Sequence, residues 1–273
     1  GAGSAGSVLA NRLSADAKCR VLLLEAGRAD HPWTRVPVGF ARLIDNPKAN
    51  WLYQSEPDEG SGQRPIPVPR GKLLGGSSAI NGMVFVRGQS QDFDTWAQLG
   101  NRGWSYGDVL PFYRKMETYA GGEDEYRGRE GPLQVTDLSE AGPLYDALIA
   151  AANETGIPYN ADYNGAAQEG ISMTQVSIRK GRRMSTARCY LDPVKSRPNL
   201  TILTGAHTDG LIIEDKQCKG VRFTVEGSQK EARVGHEVIV SAGSVNSPQI
   251  LELSGIGQPE LLKRHGVEVC HAL

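Results

Sequence analysis

The sequence has little of what would tie it to a metal centre, a disulfide framework, a bilayer or a nucleic acid. Only four cysteines occur in 273 residues, Cys19, Cys189, Cys218 and Cys270, far apart and without a Cys-x-x-Cys pair. That usage argues against structural disulfides or a thiolate metal site and fits a reducing compartment. The five histidines, His31, His207, His236, His265 and His271, show no His-x-x-x-His spacing, so no metal ligands are expected. The longest clean apolar stretches, such as Val21 to Leu24, are far too short to span a bilayer. The formal net charge of -1 offers no basic field for nucleic acid or an anionic membrane. No charged segment followed by an apolar core is visible at the start, so no signal peptide is expected. A cytoplasmic location follows as the expectation, with peripheral membrane association of a longer parent protein left open.

What is present is an ordinary globular composition, 39% hydrophobic and 22% charged, with length enough for one or two domains. Ala5, Val8, Leu9 and Leu13 recur at helical spacing, and Val21 to Leu24 reads as a buried parallel strand. Residues 28–70 carry seven prolines, Pro32, Pro37, Pro47, Pro57, Pro65, Pro67 and Pro69, and read as a long extended connection. Helices are expected over 92–99, 105–117 and 143–155, the last because Leu144, Leu148 and Ala151 or Ala152 share a face. Strands are expected at 200–203, 210–214, 220–225 and 238–241. Ser247-Pro248 reads as the N-cap and first residue of a helix ending near Gly255. Residue 1 opens directly into a motif, and 267–273 reads as a strand without a closing turn, so both ends read as truncated.

That opening motif is Gly1-Ala2-Gly3-Ser4-Ala5-Gly6, a G-x-G-x-x-G. The first glycine permits a tight turn, the second admits a pyrophosphate to the backbone, and the third allows close packing. The helix that follows offers free N–H groups and the positive end of its dipole. Glu25 closes the next strand, where an acid can accept from a ribose hydroxyl pair, with Ala26 beside it. The acid argues against a 2′-phosphate and hence against NADP. The turn itself does not separate FAD from NAD. A second glycine turn, Gly75-Gly76-Ser77-Ser78, offers unobstructed N–H groups and two hydroxyls to an anion. Strand 238–241 runs into Ala242-Gly243-Ser244, small residues suited to close approach by a cofactor.

Arg70-Gly71-Lys72-Leu73-Leu74-Gly75-Gly76-Ser77-Ser78-Ala79-Ile80-Asn81-Gly82-Met83-Val84 resembles the first signature of the glucose–methanol–choline oxidoreductases. The segment from Gly243-Ser244-Val245-Asn246-Ser247-Pro248 to Gly257 resembles the second. The likeness extends through Trp51-Leu52-Tyr53 and Gly103-Trp104-Ser105-Tyr106, and leans towards the choline-dehydrogenase-like branch. It implies FAD as cofactor and an α/β fold, a Rossmann-like FAD-binding domain with part of an α+β substrate domain built on an antiparallel sheet. The implied layout is 1–118 and 199–273 for FAD and 119–198 for substrate. It implies cofactor contacts at Arg70, Asn81, Gly82, Met83, Val84 and Thr208, in addition to Gly1, Gly3, Ser4, Ala5, Gly6, Glu25, Ala26, Gly75, Gly76, Ser77, Ser78, Ala242, Gly243 and Ser244. Some relatives attach FAD through a histidine where this chain has Ile80, so non-covalent FAD is expected.

The implied reaction is hydride transfer from a small alcohol, choline or a simple primary alcohol, to the flavin. The electron acceptor is left open among oxygen, a quinone or a dye. A histidine suits the role of base for the hydroxyl proton. In relatives that histidine and its partner lie C-terminal to Leu273, so no catalytic residue is expected here and the chain is expected to be an inactive piece. The family also includes FAD-containing lyases that cleave cyanohydrins, which is the alternative reading. His265, His271, the Lys180, Arg182 and Arg183 cluster and the acidic run Glu123 to Glu125 are read as solvated or structural.

Overall fold

The computed structural model describes residues 1–138 and 142–273. Its longer helices are α1 (Ser4–Leu13), α2 (Ser90–Gln98), α3 (Tyr106–Met116), α4 (Pro143–Glu154) and α5 (Gly243–Leu253). The strands that matter for the site are β1 (Val21–Glu25), β2 (Tyr53–Gln54), β3 (Pro67–Val68), β4 (Leu200–Thr204), β5 (Ala206–Glu214), β6 (Gln217–Val225) and β7 (Ser228–Arg233). The fold is α/β, with parallel and antiparallel pairing. The chain divides into two compact units, 1–81 with 185–273, and 82–184. Residues 82–118 therefore group with the second unit and 185–198 with the first, a division that differs from boundaries at 118 and 198.

In the first unit β1 and β4 pair in parallel, Val21 opposite Leu200 through Glu25 opposite Thr204. Leu23 on β1 packs with Ala2, Ala10, Leu191, Val194 and Leu200. Leu24 points the other way, into Ala206, Val221 and Phe223. One strand thus feeds two cores by simple alternation. Arg197 donates to the carbonyl of Asn11 (2.7 Å) at the end of α1, satisfying a helix-terminal acceptor. β5, β6 and β7 form an antiparallel meander. Both of its hairpin turns, Asp215-Lys216 and Glu226-Gly227, have positive φ at both central residues, the mirror-image turn that matches strand twist.

Several expectations are corrected. Residues 238–241 form no strand, because no described segment hydrogen-bonds to them in a ladder. β7 was not expected; its sequence, SQKEAR, has no apolar alternation, and it forms as an edge strand on β6. α5 starts at Gly243, and Pro248 lies inside it. Ser247 does not cap from the N-terminal side. Its Oγ accepts from the Ala242 N–H (3.1 Å), reaching back one turn to the helix start. At the C-terminal end only His271–Ala272 pair, in parallel with Ile256–Gly257.

In the second unit α2 and α3 are each closed by a capping box, Gln89 with Asp92 and Ser105 with Asp108. Phe93 of α2 meets Tyr106 and Tyr113 of α3 edge-on or tilted. A buried polar network lies beyond them. Glu117 pairs with Arg127 (2.7 Å) and Arg87 (2.8 Å), and Arg127 also reaches Asp162 (2.5 Å) and Gln175 (2.9 Å). The Tyr119 hydroxyl donates to Asp137 (2.9 Å), and the Arg127 guanidinium lies over its ring. α4 forms as expected, but Leu144 and Leu148 are 74% and 56% exposed, so their shared face is not a core face of this unit. Arg183 is buried rather than solvated, and desolvation lowers its pKa to about 10. Glu123, Asp124 and Glu125 are exposed, as expected. Among the described residues no helix is long and apolar enough to cross a membrane, and no cluster of His, Cys, Asp or Glu could hold a metal ion.

Candidate functional site: a glycine-walled cleft

The first turn is built by backbone contacts that only glycine permits. A Cβ on Gly1 would lie 2.5 Å from the Ser241 carbonyl oxygen, and one on Gly6 would lie 1.9 Å from that of Gly1. Gly6 therefore packs against the turn itself rather than only against the strand. Gly3 is the N-cap of α1; it supplies no side-chain cap, and the first helical turn carries no acid. The start of α1 is left suited to an anion. Glu25, buried at the end of β1, accepts from the Ala2 N–H (2.8 Å) on one oxygen and from the Gly27 N–H (2.9 Å) on the other. Its carboxylate ties the strand end to the glycine turn, leaving each oxygen one further acceptor position.

The second turn meets the first. Gly75 and Gly76 have φ of +91° and +52°. The Gly75 N–H donates to the Ala2 carbonyl (2.8 Å). A Cβ on Gly76 would come within 2.7 Å of the Gly3 Cα. Two glycine segments far apart in sequence are thus pressed backbone to backbone. The two serines that follow differ. Ser77 Oγ accepts from the Gly71 N–H (3.1 Å) at the cleft. Ser78 Oγ donates to the Gly75 carbonyl (2.6 Å) and accepts from the Thr186 N–H (3.0 Å), so this hydroxyl braces the turn.

The rest of the wall comes from three places: the start of α5, the start of β5, and a short antiparallel ladder in the proline-rich connection. In that ladder Tyr53 pairs with Val68 and Asn50 with Gly71. Asn50 fastens it; its side-chain oxygen accepts from the N–H of Arg70 (2.9 Å) and of Leu52 (3.1 Å), and its amide donates to the Ile44 carbonyl. Trp51 stacks with Tyr53 at 5.8 Å and 7°, and Lys72 Nζ lies 4.4 Å from the Trp51 ring centroid. Asn246 of α5 donates to the Tyr53 hydroxyl (2.8 Å). Together these segments enclose a cleft of about 560 Å³.

Of the residues expected at a cofactor, Gly1, Gly3, Ser4, Ala5, Glu25, Ala26, Arg70, Gly76, Ser77, Thr208, Ala242, Gly243 and Ser244 line this cleft. Gly6, Gly75, Ser78 and Asn81 belong to the same unit but stand outside the lining; the first three shape the turns, and the Asn81 N–H continues the second one to Ser77 O (2.9 Å). Gly82, Met83 and Val84 belong to the second unit, where Met83 is buried at φ +64° and Val84 bridges to Val176. Trp51, His207, Asn246 and Gln249 line the cleft without having been singled out as contacts. The signal for Trp51 was an alternation, Trp51-x-Tyr53 against Val68-x-Arg70, hidden by the irregular sequence around it. His265 and His271 are exposed and do not line the cleft.

Comparison with known proteins agrees with this architecture. An oxygen-dependent choline dehydrogenase of Photobacterium profundum is 43% identical over 276 residues, covering 100% of this chain and 49% of that protein. An alcohol dehydrogenase [acceptor] of Pseudomonas putida is 42% identical, covering 100% of this chain and 50% of that protein. The solved structure of an FAD-dependent oxidoreductase from Chaetomium thermophilum superposes with a TM-score of 0.94 at 31% identity, over 100% of this chain and 49% of that one. The chain therefore spans about half the length of the relatives it matches. The GMC oxidoreductase family profile matches residues 1–267, and the chain belongs to that family.

Proposed function

We propose that this chain is the cofactor-holding part of an FAD-dependent oxidoreductase that acts on CH–OH groups, with choline or a simple primary alcohol as substrate. The observation that carries the reading is the meeting of Gly3 and Gly76 beside the uncapped start of α1. A Cβ at Gly76 would fill that junction, and no side chain of the first helical turn competes for the anion. Such a junction suits a pyrophosphate bridging two nucleotide halves. Gly3, Ser4, Ala5, Gly76 and Ser77 would hold the phosphates. Glu25 and Ala26 would meet the ribose, the Thr208 backbone the adenine, and Ala242, Gly243 and Ser244 the opposite wall, with Arg70 adding positive charge. Bound FAD supplies the acceptor for the hydride that leaves the alcohol carbon. The relatives named for choline and for alcohol support the substrate class.

In this reading the unit of residues 1–81 and 185–273 carries the cofactor, and 82–184 is part of the substrate domain. Attachment is non-covalent. Ile80, where some family members carry the tethering histidine, has no nucleophilic atom and is 4% exposed in a core with Leu43, Ala49, Leu73 and Ala79. The test is direct. The full-length protein, once purified, should carry a flavin absorbance that alcohols bleach, and acid precipitation should release intact FAD to the supernatant. A colourless protein that takes up no added FAD would refute the cofactor, and flavin retained in the pellet would refute the mode of attachment.

A further inference from the structure

The geometry points to Lys72 as a positioning residue that holds the Trp51 wall of the cleft in place for the nucleotide, an inference that rests on the FAD reading above. The ladder explains why these two side chains meet. Asn50 opposite Gly71 and Tyr53 opposite Val68 share one register, which sets Trp51 opposite Arg70 and Lys72 one diagonal step away on the same face. Lys72 has little freedom at its backbone. Its N–H donates to the Ala49 carbonyl (2.7 Å), and its own carbonyl abuts Gly27, where a Cβ would come within 1.9 Å. Its ammonium makes no ion pair among the described residues, and it lies 4.4 Å from the Trp51 ring centroid. That is a cation–π contact in the favourable range.

Trp51 needs such a restraint. It is only half-buried, so surrounding core does not fix its two side-chain torsions. Its other ring contacts are Tyr53, stacked at 5.8 Å, and His207, edge-on at 6.1 Å. Tyr53 is in turn held by Asn246 from α5. The indole therefore contacts a ring that Asn246 anchors and an ammonium whose backbone is fixed. Lys72 itself does not line the cleft, so its effect on a ligand passes through Trp51.

The experiment is a double-mutant cycle on the purified protein, stripped of flavin and titrated with FAD. Wild-type binding of FAD tests the cofactor reading by itself; its absence sinks that reading before Lys72 is questioned. Given binding, Lys72→Met should raise the Kd by about 3- to 10-fold, and Lys72→Arg, which keeps the charge, should stay within about 2-fold of wild type. In a Trp51→Leu background the same Lys72→Met change should have almost no further effect on Kd. Lys72→Gln is measured alongside, so that a folding defect peculiar to methionine does not decide the result. Unchanged Kd in both neutral variants overturns the inference. So does a loss that persists in full without Trp51, which would mean a direct electrostatic or general structural role.

Discussion

Replacing Glu25 by glutamine should loosen the first turn, although the side chain keeps its size and shape. The carboxylate accepts two backbone N–H groups, Ala2 at 2.8 Å and Gly27 at 2.9 Å, while only 6% exposed. A glutamine amide has one oxygen and one NH2 group, and the NH2 only donates. In either orientation it sets a donor against one of the two N–H groups. The loss is one charge-assisted hydrogen bond with one buried donor left unsatisfied, about 1.5–3 kcal/mol. For a protein of this size each kcal/mol lowers the melting temperature by about 2–4 °C, so a fall of about 3–12 °C is expected. Circular dichroism melts of the flavin-free protein read this directly. FAD titration should show a concurrent weakening of about tenfold or more, since about 1.4 kcal/mol corresponds to tenfold. A glutamine variant that melts within about 1 °C of wild type would show that the carboxylate does not hold the strand end to the turn, and the reasoning would fail.

Two further outcomes follow from the same geometry. Gly76→Ala places a Cβ 2.7 Å from the Gly3 Cα at φ +52°, so strain and overpacking together should cost about 2–4 kcal/mol and abolish or sharply weaken FAD binding; urea midpoints and flavin content of the purified variant measure it. The Tyr119 phenol is pushed well above its ordinary pKa, first by burial and then by its bond to Asp137. Its folded value exceeds its unfolded one, so its contribution is complete below about pH 10 and is lost as pH rises past that point. Tyr119→Phe should be less stable than wild type near neutrality, with a shallower fall in urea midpoint on the alkaline side. It is shallower rather than flat because burial also raises Tyr163 and Tyr190.

The parts of the fold that sequence reasoning reached are those whose pattern is local. α1 and β1 follow from helical spacing and a short apolar run, and the glycines of both turns announce backbone that a Cβ would obstruct. What it missed depends on partners distant in the chain. Val238 to Ser241 has the residues of a strand, but pairing needs a neighbour, and no described segment supplies one. β7 is the reverse case, a polar sequence made into a strand by β6 and by a Glu226-Gly227 turn with φ of +51° and +74°. Pro248 suggested a helix start, yet α5 began five residues earlier, with Ser247 reaching back to Ala242. In the site, glycine positions were legible while the aromatic wall was not. The register that sets Trp51, Tyr53, Arg70 and Lys72 together is fixed by Asn50, whose carboxamide joins Ile44, Leu52 and Arg70 across the connection.

If the cleft holds FAD as proposed, the fixed position of Glu25 also sets which dinucleotide it accepts. A solvated glutamate could swing away from a phosphate on the neighbouring ribose. This one is held on both oxygens by backbone N–H groups and shielded from water, so its charge cannot move without undoing the turn. A phosphate brought to within about 4 Å of it would meet a repulsion of about 4 kcal/mol per unit charge at an effective dielectric constant near 20. That corresponds to a discrimination of about a thousandfold for a singly charged group, and salt weakens it little because the pair is buried. A 2′-hydroxyl can instead donate to the acceptor position that each oxygen retains. In the FAD reading, the same carboxylate that assembles the turn would also select the ligand. Glu25→Gln should therefore narrow the gap between FAD and a 2′-phosphorylated analogue, weakening FAD through the loosened turn while relieving the analogue of the fixed charge. Competition binding of the two on wild type and variant would refute this if the ratio of their affinities stayed the same.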